Sequence, residues 1–283
     1  MVSSRNTRIG LIVIVATLIV MTPIVMLSFL NNTPPPDDVD DNGAEDNAPL
    51  ELPVNSVNIT LLHTVGVMIE VNNIRIYIDP YRIPKSNFSE YPADLVLITH
   101  AHADHYSPYD IGDVQKNSTL VVFPESMTTQ LERFNNSLGV SPGDNFQYRG
   151  INITAFDLYL EDYPSGARSA HPKDRNWTSY IIDIDGFIIF HAGDAKYMDE
   201  YVDFPVEIDV AFLPIYFDPG YGVKDESLAP IIQAIEVLKP DYCIPTHWYF
   251  DDNQLFMEEY VPLLVDDCDV VNLDFFESYV FSV

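Results

Sequence analysis

Leu95-Val96-Leu97-Ile98-Thr99-His100-Ala101-His102-Ala103-Asp104-His105 is the stretch on which the fold of this chain turns. Its apolar start has the length and composition of a buried strand. Three histidines and one aspartate follow within six residues. In extended backbone, residues two apart face the same side, so His100 and His102 can grip one ion while Asp104 and His105, one step further along the loop, turn toward a second. Ala101 and Ala103 leave room for that. A lone histidine beside an apolar strand is more often a satisfied core residue than a ligand. A string this dense, in a chain with 7 histidines among 283 residues, points to metal instead.

The remaining histidines are His63, His171, His191 and His247, each at or beside a predicted strand end. Two metal sites need further ligands, and three strand ends offer them: His171 in Ser169-Ala170-His171-Pro172, Asp194 in Phe190-His191-Ala192-Gly193-Asp194, and His247 in Ile244-Pro245-Thr246-His247.

Working outward, strands are expected at Val57 to Leu62, Val67 to Val71, Ile74 to Ile78 after a turn at Asn72-Asn73, and Leu95 to Thr99. Others are expected at Thr119 to Phe123, Ile151 to Leu158, Ser179 to Ile184, Phe187 to His191, Val210 to Pro214 and Tyr242 to Ile244, with a β-rich run from Val270 to Val283. Helical periodicity marks Ser126 to Phe134 and Ser227 to Leu238, the latter closed by Lys239-Pro240. Strands in two groups with interspersed helices imply two packed sheets covered by helices on their outer faces.

The order His-x-His-x-Asp-His, distant His, Asp, final His resembles the metallo-β-lactamase superfamily. Within it, the chain is similar to the branch of ascorbate-6-phosphate lactonase-like proteins and uncharacterised metal-dependent hydrolases, which also holds enzymes of the N-acyl phosphatidylethanolamine phospholipase D type. His63 ahead of a hairpin ending Ile78-Asp79-Pro80, the Phe190 to Asp194 run, and Leu213-Pro214-Ile215 before a helix carry that likeness. The resemblance implies an α/β fold, the four-layer αββα sandwich. It implies His100, His102 and His171 on one ion, Asp104, His105 and His247 on the other, and Asp194 bridging. It also implies two divalent ions, zinc by preference with manganese or iron as alternatives, and a hydroxide between them attacking a small lactone, ester, amide or phosphodiester. Asp104 and His191 are the candidate catalytic groups; His63 and Lys224 are candidates for orienting ligands or substrate. The stretch Tyr216 to Lys224 replaces a Gly-rich, Met-containing segment of the branch. Arg168, Lys173 and Arg175 are further candidates for an anionic substrate, and Tyr216, Tyr221, Trp248 and Tyr249 for an apolar cleft wall.

Residues 1–8 carry Arg5 and Arg8 and precede an apolar run from Ile9 to Leu30, long enough at helical rise to cross a hydrocarbon core. With arginines before it and acidic residues after it, the run reads as a transmembrane signal anchor that leaves the body extracytoplasmic, or secreted if the segment is cleaved. Residues 31–54, rich in Pro, Asp and Asn, read as a linker, and residues 55–283 as the hydrolase domain. Asn-x-Ser/Thr occurs at Asn31, Asn58, Asn87, Asn117, Asn135, Asn152 and Asn176, against roughly two expected by chance, which suits an exported, glycosylated chain.

A formal charge of −29, from 43 acidic and 14 basic residues, makes a phosphate backbone a costly partner; no nucleic acid is expected. The same charge suits a solvated acidic surface. Cys243 and Cys268 admit either a disulfide or two buried thiols. The partners expected are a small-molecule substrate and, through the N-terminal helix, a membrane. The alternatives are a phospholipase D-like hydrolase of membrane lipids and a non-catalytic, metal-stabilised cell-surface binding module.

Overall fold

The computed structural model describes residues 56–218, 220, 224–248, 256–263 and 268–283. The expected anchor and linker lie outside them. Among the described residues no helix is long and apolar enough to cross a membrane.

In chain order the first half runs β1 (Ser56–Leu61), β2 (Val67–Val71), β3 (Ile74–Ile78), α1 (Lys85–Phe88), β4 (Ala93–Leu97), α2 (Pro108–Val114), β5 (Gln115–Pro124), α3 (Thr128–Leu131) and β6 (Ser137–Val140). The second half runs β7 (Asn145–Tyr148), β8 (Ile151–Leu158), β9 (Trp177–Ile184), β10 (Phe187–His191), β11 (Val210–Pro214), α4 (Lys224–Leu238), β12 (Tyr242–Thr246) and β13 (Asp269–Val270). Last comes β14 (Ser278–Ser282), which returns to the first half.

The strands form two seven-stranded sheets, ordered β14-β1-β2-β3-β4-β5-β6 and β13-β12-β11-β10-β9-β8-β7. In each, a run of antiparallel neighbours passes into parallel pairing, from β3 onward in the first and from β10 onward in the second. Parallel strands need covered faces, and three separate apolar clusters supply the cover. One lies between the sheets and includes Ile59, Ile69, Ile76, Leu97, Ile182 and Phe212. A second packs Leu228, Ile231, Ala234 and Ile235 of α4 on the outer face of the second sheet against Phe190 and Leu213. A third packs Phe88, Ile111 and Val114 of the short helices, with Met127 just ahead of α3, on the outer face of the first sheet against Tyr77 and Val96. Helix, sheet, sheet, helix is the expected αββα order. Each fully buried Leu, Ile or Phe stabilises it by about 1.5 to 3 kcal/mol.

Several local expectations change. The helix expected over Ser126 to Phe134 shrinks to Thr128–Leu131, and the chain then re-enters the sheet as β6. The β-rich C-terminus holds only two short strands. Cys243 is buried, Cys268 is half-buried, and no disulfide joins them.

At one end of the sandwich, polar contacts tie the sheets together. Thr178 N donates to Thr99 O at 3.1 Å and His247 N to Thr64 O at 2.9 Å, while the buried Tyr180 hydroxyl donates to Ile98 O at 2.8 Å. That end is where the histidines gather.

Candidate metal centre

Every loop that supplies a candidate ligand leaves the sheets at this end: the one after β4 brings His100 to His105, the one between β8 and β9 brings His171, and the ends of β10 and β12 bring Asp194 and His247. His100, His102, His171 and Asp194 offer ligand atoms within 4.8 Å of one another, and so do Asp104, His105 and His247.

Asp194 joins the two groups. Its Oδ2 lies 2.9 Å from His171 Nε2 and 3.6 Å from His100 Nε2, and its Oδ1 lies 2.9 Å from His105 Nε2 and 3.3 Å from His247 Nε2. His102 turns Nδ1 inward, 3.0 Å from His100 Nε2, and Asp104, half-exposed, lies 3.4 Å from His247 Nε2.

The residues fit metal ions. His105 Nε2, His171 Nε2 and Asp194 Oδ1 are buried without an aligned hydrogen bond, although they approach neighbouring polar atoms at 2.9 Å. Atoms that crowd without alignment have lone pairs aimed at shared points, the arrangement a cation satisfies.

The electrostatics agree. Burial, then the neighbouring imidazoles, hold His100 well below the ordinary histidine pKa; burial and His171 lower His102. For His105, burial opposes charge, but Asp194 and Asp79 outweigh it and raise the pKa well above the ordinary value. His247 is raised likewise, chiefly by Asp194 against burial. Burial pushes Asp194 up, yet His105 and His247 draw it well below the carboxylate range. Asp104 is also lowered: burial raises it, and the His247 hydrogen bond and His105 prevail. Carboxylates in a site this dry demand positive charge nearby.

Asp79 is the functional residue that sequence reasoning left unassigned. Fully buried, it accepts from Thr99 N at 2.8 Å and Thr99 Oγ1 at 2.5 Å, and its Oδ2 lies 2.7 Å from His105 Nδ1. The Thr99 hydroxyl proton is thereby committed, so its oxygen accepts from His100 Nδ1 at 2.9 Å. Both rings then carry a proton on Nδ1 and aim Nε2 at the cluster, the face a cation would take. Asp79 and His247 have φ of 44° and 54°, left-handed values that cost a non-glycine residue of order 1–3 kcal/mol and cluster at functional sites. Ile78-Asp79-Pro80 was the available signal. Trp177 was also missed; its ring packs 4.8 Å from His100 and 5.0 Å from His102.

Two expected participants stand apart. His191, expected as a catalytic group, is buried beside the cluster with both ring nitrogens engaged elsewhere: Nε2 lies 2.9 Å from Val65 O and Nδ1 accepts from Gly193 N at 3.2 Å. No ring nitrogen is left to exchange a proton with substrate, and the contact joins the sheets instead. His63 bonds Thr64 Oγ1 at 2.8 Å and stacks on Phe275, whose ring also stacks on Trp248; it sits beside Thr64, whose carbonyl accepts from His247 N. Lys224 opens α4, and its side chain lies outside the described residues, as do Tyr221 and Tyr249. Arg168 and Lys173 pair with Asp174 and Glu200 at the surface. Tyr216 packs its ring 4.4 Å from His247.

The model of the β-lactamase superfamily domain matches residues 58–247 of this sequence, which include every residue of the cluster. The chain belongs to the β-lactamase superfamily. Among relatives of this superfamily member, a UPF0173 metal-dependent hydrolase of Pyrococcus furiosus is 29% identical over 204 residues, covering 68% of this chain and 84% of the relative. The solved structure of a Parabacteroides distasonis protein is 25% identical with a TM-score of 0.63, the match covering 77% of this chain and 93% of the other. Igni18 of Ignicoccus hospitalis shares the fold at 20% identity and a TM-score of 0.64, covering 81% and 99% of the two chains.

Proposed function

We propose that this β-lactamase superfamily protein is a metal-dependent hydrolase that binds two divalent cations and cleaves a small lactone, ester, amide or phosphodiester. The observation that carries the reading is the division of Asp194, one carboxylate oxygen toward His171 and His100 and the other toward His105 and His247. His100, His102 and His171 would hold one ion, Asp104, His105 and His247 the second, with zinc the best match to an imidazole and carboxylate set and manganese next. Bound there, the ions supply an acidified water and a Lewis-acid contact for the substrate oxygen.

The protein's own groups do the rest. Thr99 and Asp79 fix the rings of His100 and His105, Trp177 packs against one side of the cluster, and Asp104, the most exposed carboxylate among them, would be the group placed to take up a proton. The apolar run Ile9 to Leu30 supports an anchored or exported protein whose hydrolase domain follows the linker.

The test is metal analysis of the purified protein followed by hydrolysis of lactone, β-lactam, phosphodiester and N-acyl lipid panels, with Asp194→Ala alongside. About two ions per chain, turnover on at least one class, and loss of both metal and turnover in D194A are expected. Bound metal without turnover on any panel points to the binding module, and full metal content in D194A removes the bridging role.

A further inference from the structure

We infer that this chain carries N-linked sugar on Asn87, Asn117, Asn135, Asn152 and Asn176 and stays bare at Asn58; the inference rests on export of the domain and is independent of its metal chemistry. Six of the seven sequons fall on described residues, and the fold separates them sharply.

Five of the six asparagines are exposed: Asn87 in α1, Asn117 at the start of β5, Asn135 just before β6, Asn152 on the outer side of β8, and Asn176 between a helical turn and β9. Asn117 and Asn135 line one cleft of about 450 Å³, walled by Gln115, Arg133 and Phe134. Amide, guanidinium and an aromatic face are groups that hydrogen-bond and stack on sugars, so a first sugar on either asparagine meets a surface able to receive it.

Asn58 differs. It lies in the middle of β1, paired on both sides by β14 and β2, only 8% exposed, and its Nδ2 donates to Glu70 Oε2 at 3.0 Å. A sugar on that nitrogen would displace Glu70 and separate the strands.

The order of events follows from the hydroxyls at the third sequon position. Thr119 is buried and donates to Ala93 O at 2.6 Å, and Thr178 is fully buried. Transfer therefore precedes folding. The Asn Nδ2 forms a bond to the anomeric carbon of an oligosaccharide held on a lipid phosphate, the bond from that carbon to the carrier phosphate breaks, and the amide proton leaves with the phosphate. A chain modified at Asn58 cannot then close β1 into its sheet, so folded molecules are those left bare there.

The experiment is glycopeptide mapping of the folded full chain purified from the organism that makes it, with an N117Q/N135Q double variant expressed in the same host. Sugar is expected on peptides holding the exposed asparagines, the Asn58 peptide at its polypeptide mass, and an intact-mass drop in the double variant equal to the sugars it loses. Six bare peptides, or a modified Asn58 in folded protein, would overturn the inference.

Discussion

Asp79 Oδ2, 2.7 Å from His105 Nδ1, sets the tautomer of a ring whose other nitrogen faces the metal centre, and this makes its chemistry separable from that of the cluster. Orienting partners of this kind are worth 10 to 100-fold in metal affinity or activity. Asp79→Asn should lose metal affinity by roughly 10 to 100-fold, read by competition with a chromophoric chelator; unchanged affinity would remove the orienting role. His191 gives the opposite forecast. His191→Phe strands the buried Val65 carbonyl and Gly193 amide, so stability should fall by roughly 1 to 3 kcal/mol while metal content stays at the wild-type level. A metal-depleted but equally stable H191F protein would return His191 to the site. Gly193 itself shows why the Ala-Gly-Asp turn needs glycine: φ is +60°, and an added Cβ would lie 2.6 Å from Leu158 Cδ1 and 3.2 Å from Thr99 Oγ1.

At the scale of elements, the strands that were easiest to read are those with the sharpest boundaries. The β2–β3 hairpin was legible because Asn72 and Asn73 both take positive φ, as a two-residue turn between strands requires. Helix α4 was legible from its one-sided apolar spacing and the stop at Lys239, whose φ is 49°. Strands β6 and β7 were not: each is four residues long and mostly only half-buried, too short for a periodicity to show, and pairing with β5 and β8 holds them extended. Helix α2 is similarly a product of context, short, started by Pro108 and capped by the Ser107 hydroxyl accepting from Asp110 N. The loop carrying His171 is clasped to the segment after β11. The Tyr163 hydroxyl donates to Asp218 Oδ2 at 2.9 Å, and a Cβ on Gly220 would come within 2.3 Å of the Tyr163 ring. Gly220→Ala should therefore cost about 1 to 3 kcal/mol through overpacking. A Tyr163→Ala background should absorb that cost, so a double-mutant cycle in which the two changes simply add would refute the clasp.

For the whole molecule, metal removal and salt address different forces. If ions saturate the site at about 1,000 times their dissociation constant, they stabilise the folded state by about 4 kcal/mol, and a domain of this size shifts by roughly 2 to 4 °C per kcal/mol. Chelation should lower Tm by roughly 8 to 16 °C, and added metal should restore it; an unchanged Tm in metal-stripped protein would argue against ions within the sheet junction. The charge of −29 repels itself in the compact state, and salt screens that repulsion over a Debye length of about 10 Å at 0.1 M and 3 Å at 1 M. Raising sodium chloride from about 0.1 M to about 1 M should raise Tm of the metal-loaded protein, and a fall would contradict this account.

The sequence by itself determined the two-sheet architecture and the identity of the clustered residues, because strand periodicity, turn chemistry and the density of histidines around Thr99 are local properties of the chain. Only the tertiary structure decided which of those residues touch. His63, His100 and His191 look alike along the chain, each at a strand end, yet the sandwich turns one toward Phe275, one toward Asp194 and one toward Val65. That choice depends on how the sheets approach and on where buried carbonyls and carboxylates lie, and both are set by contacts between segments more than a hundred residues apart, such as Val65 with His191.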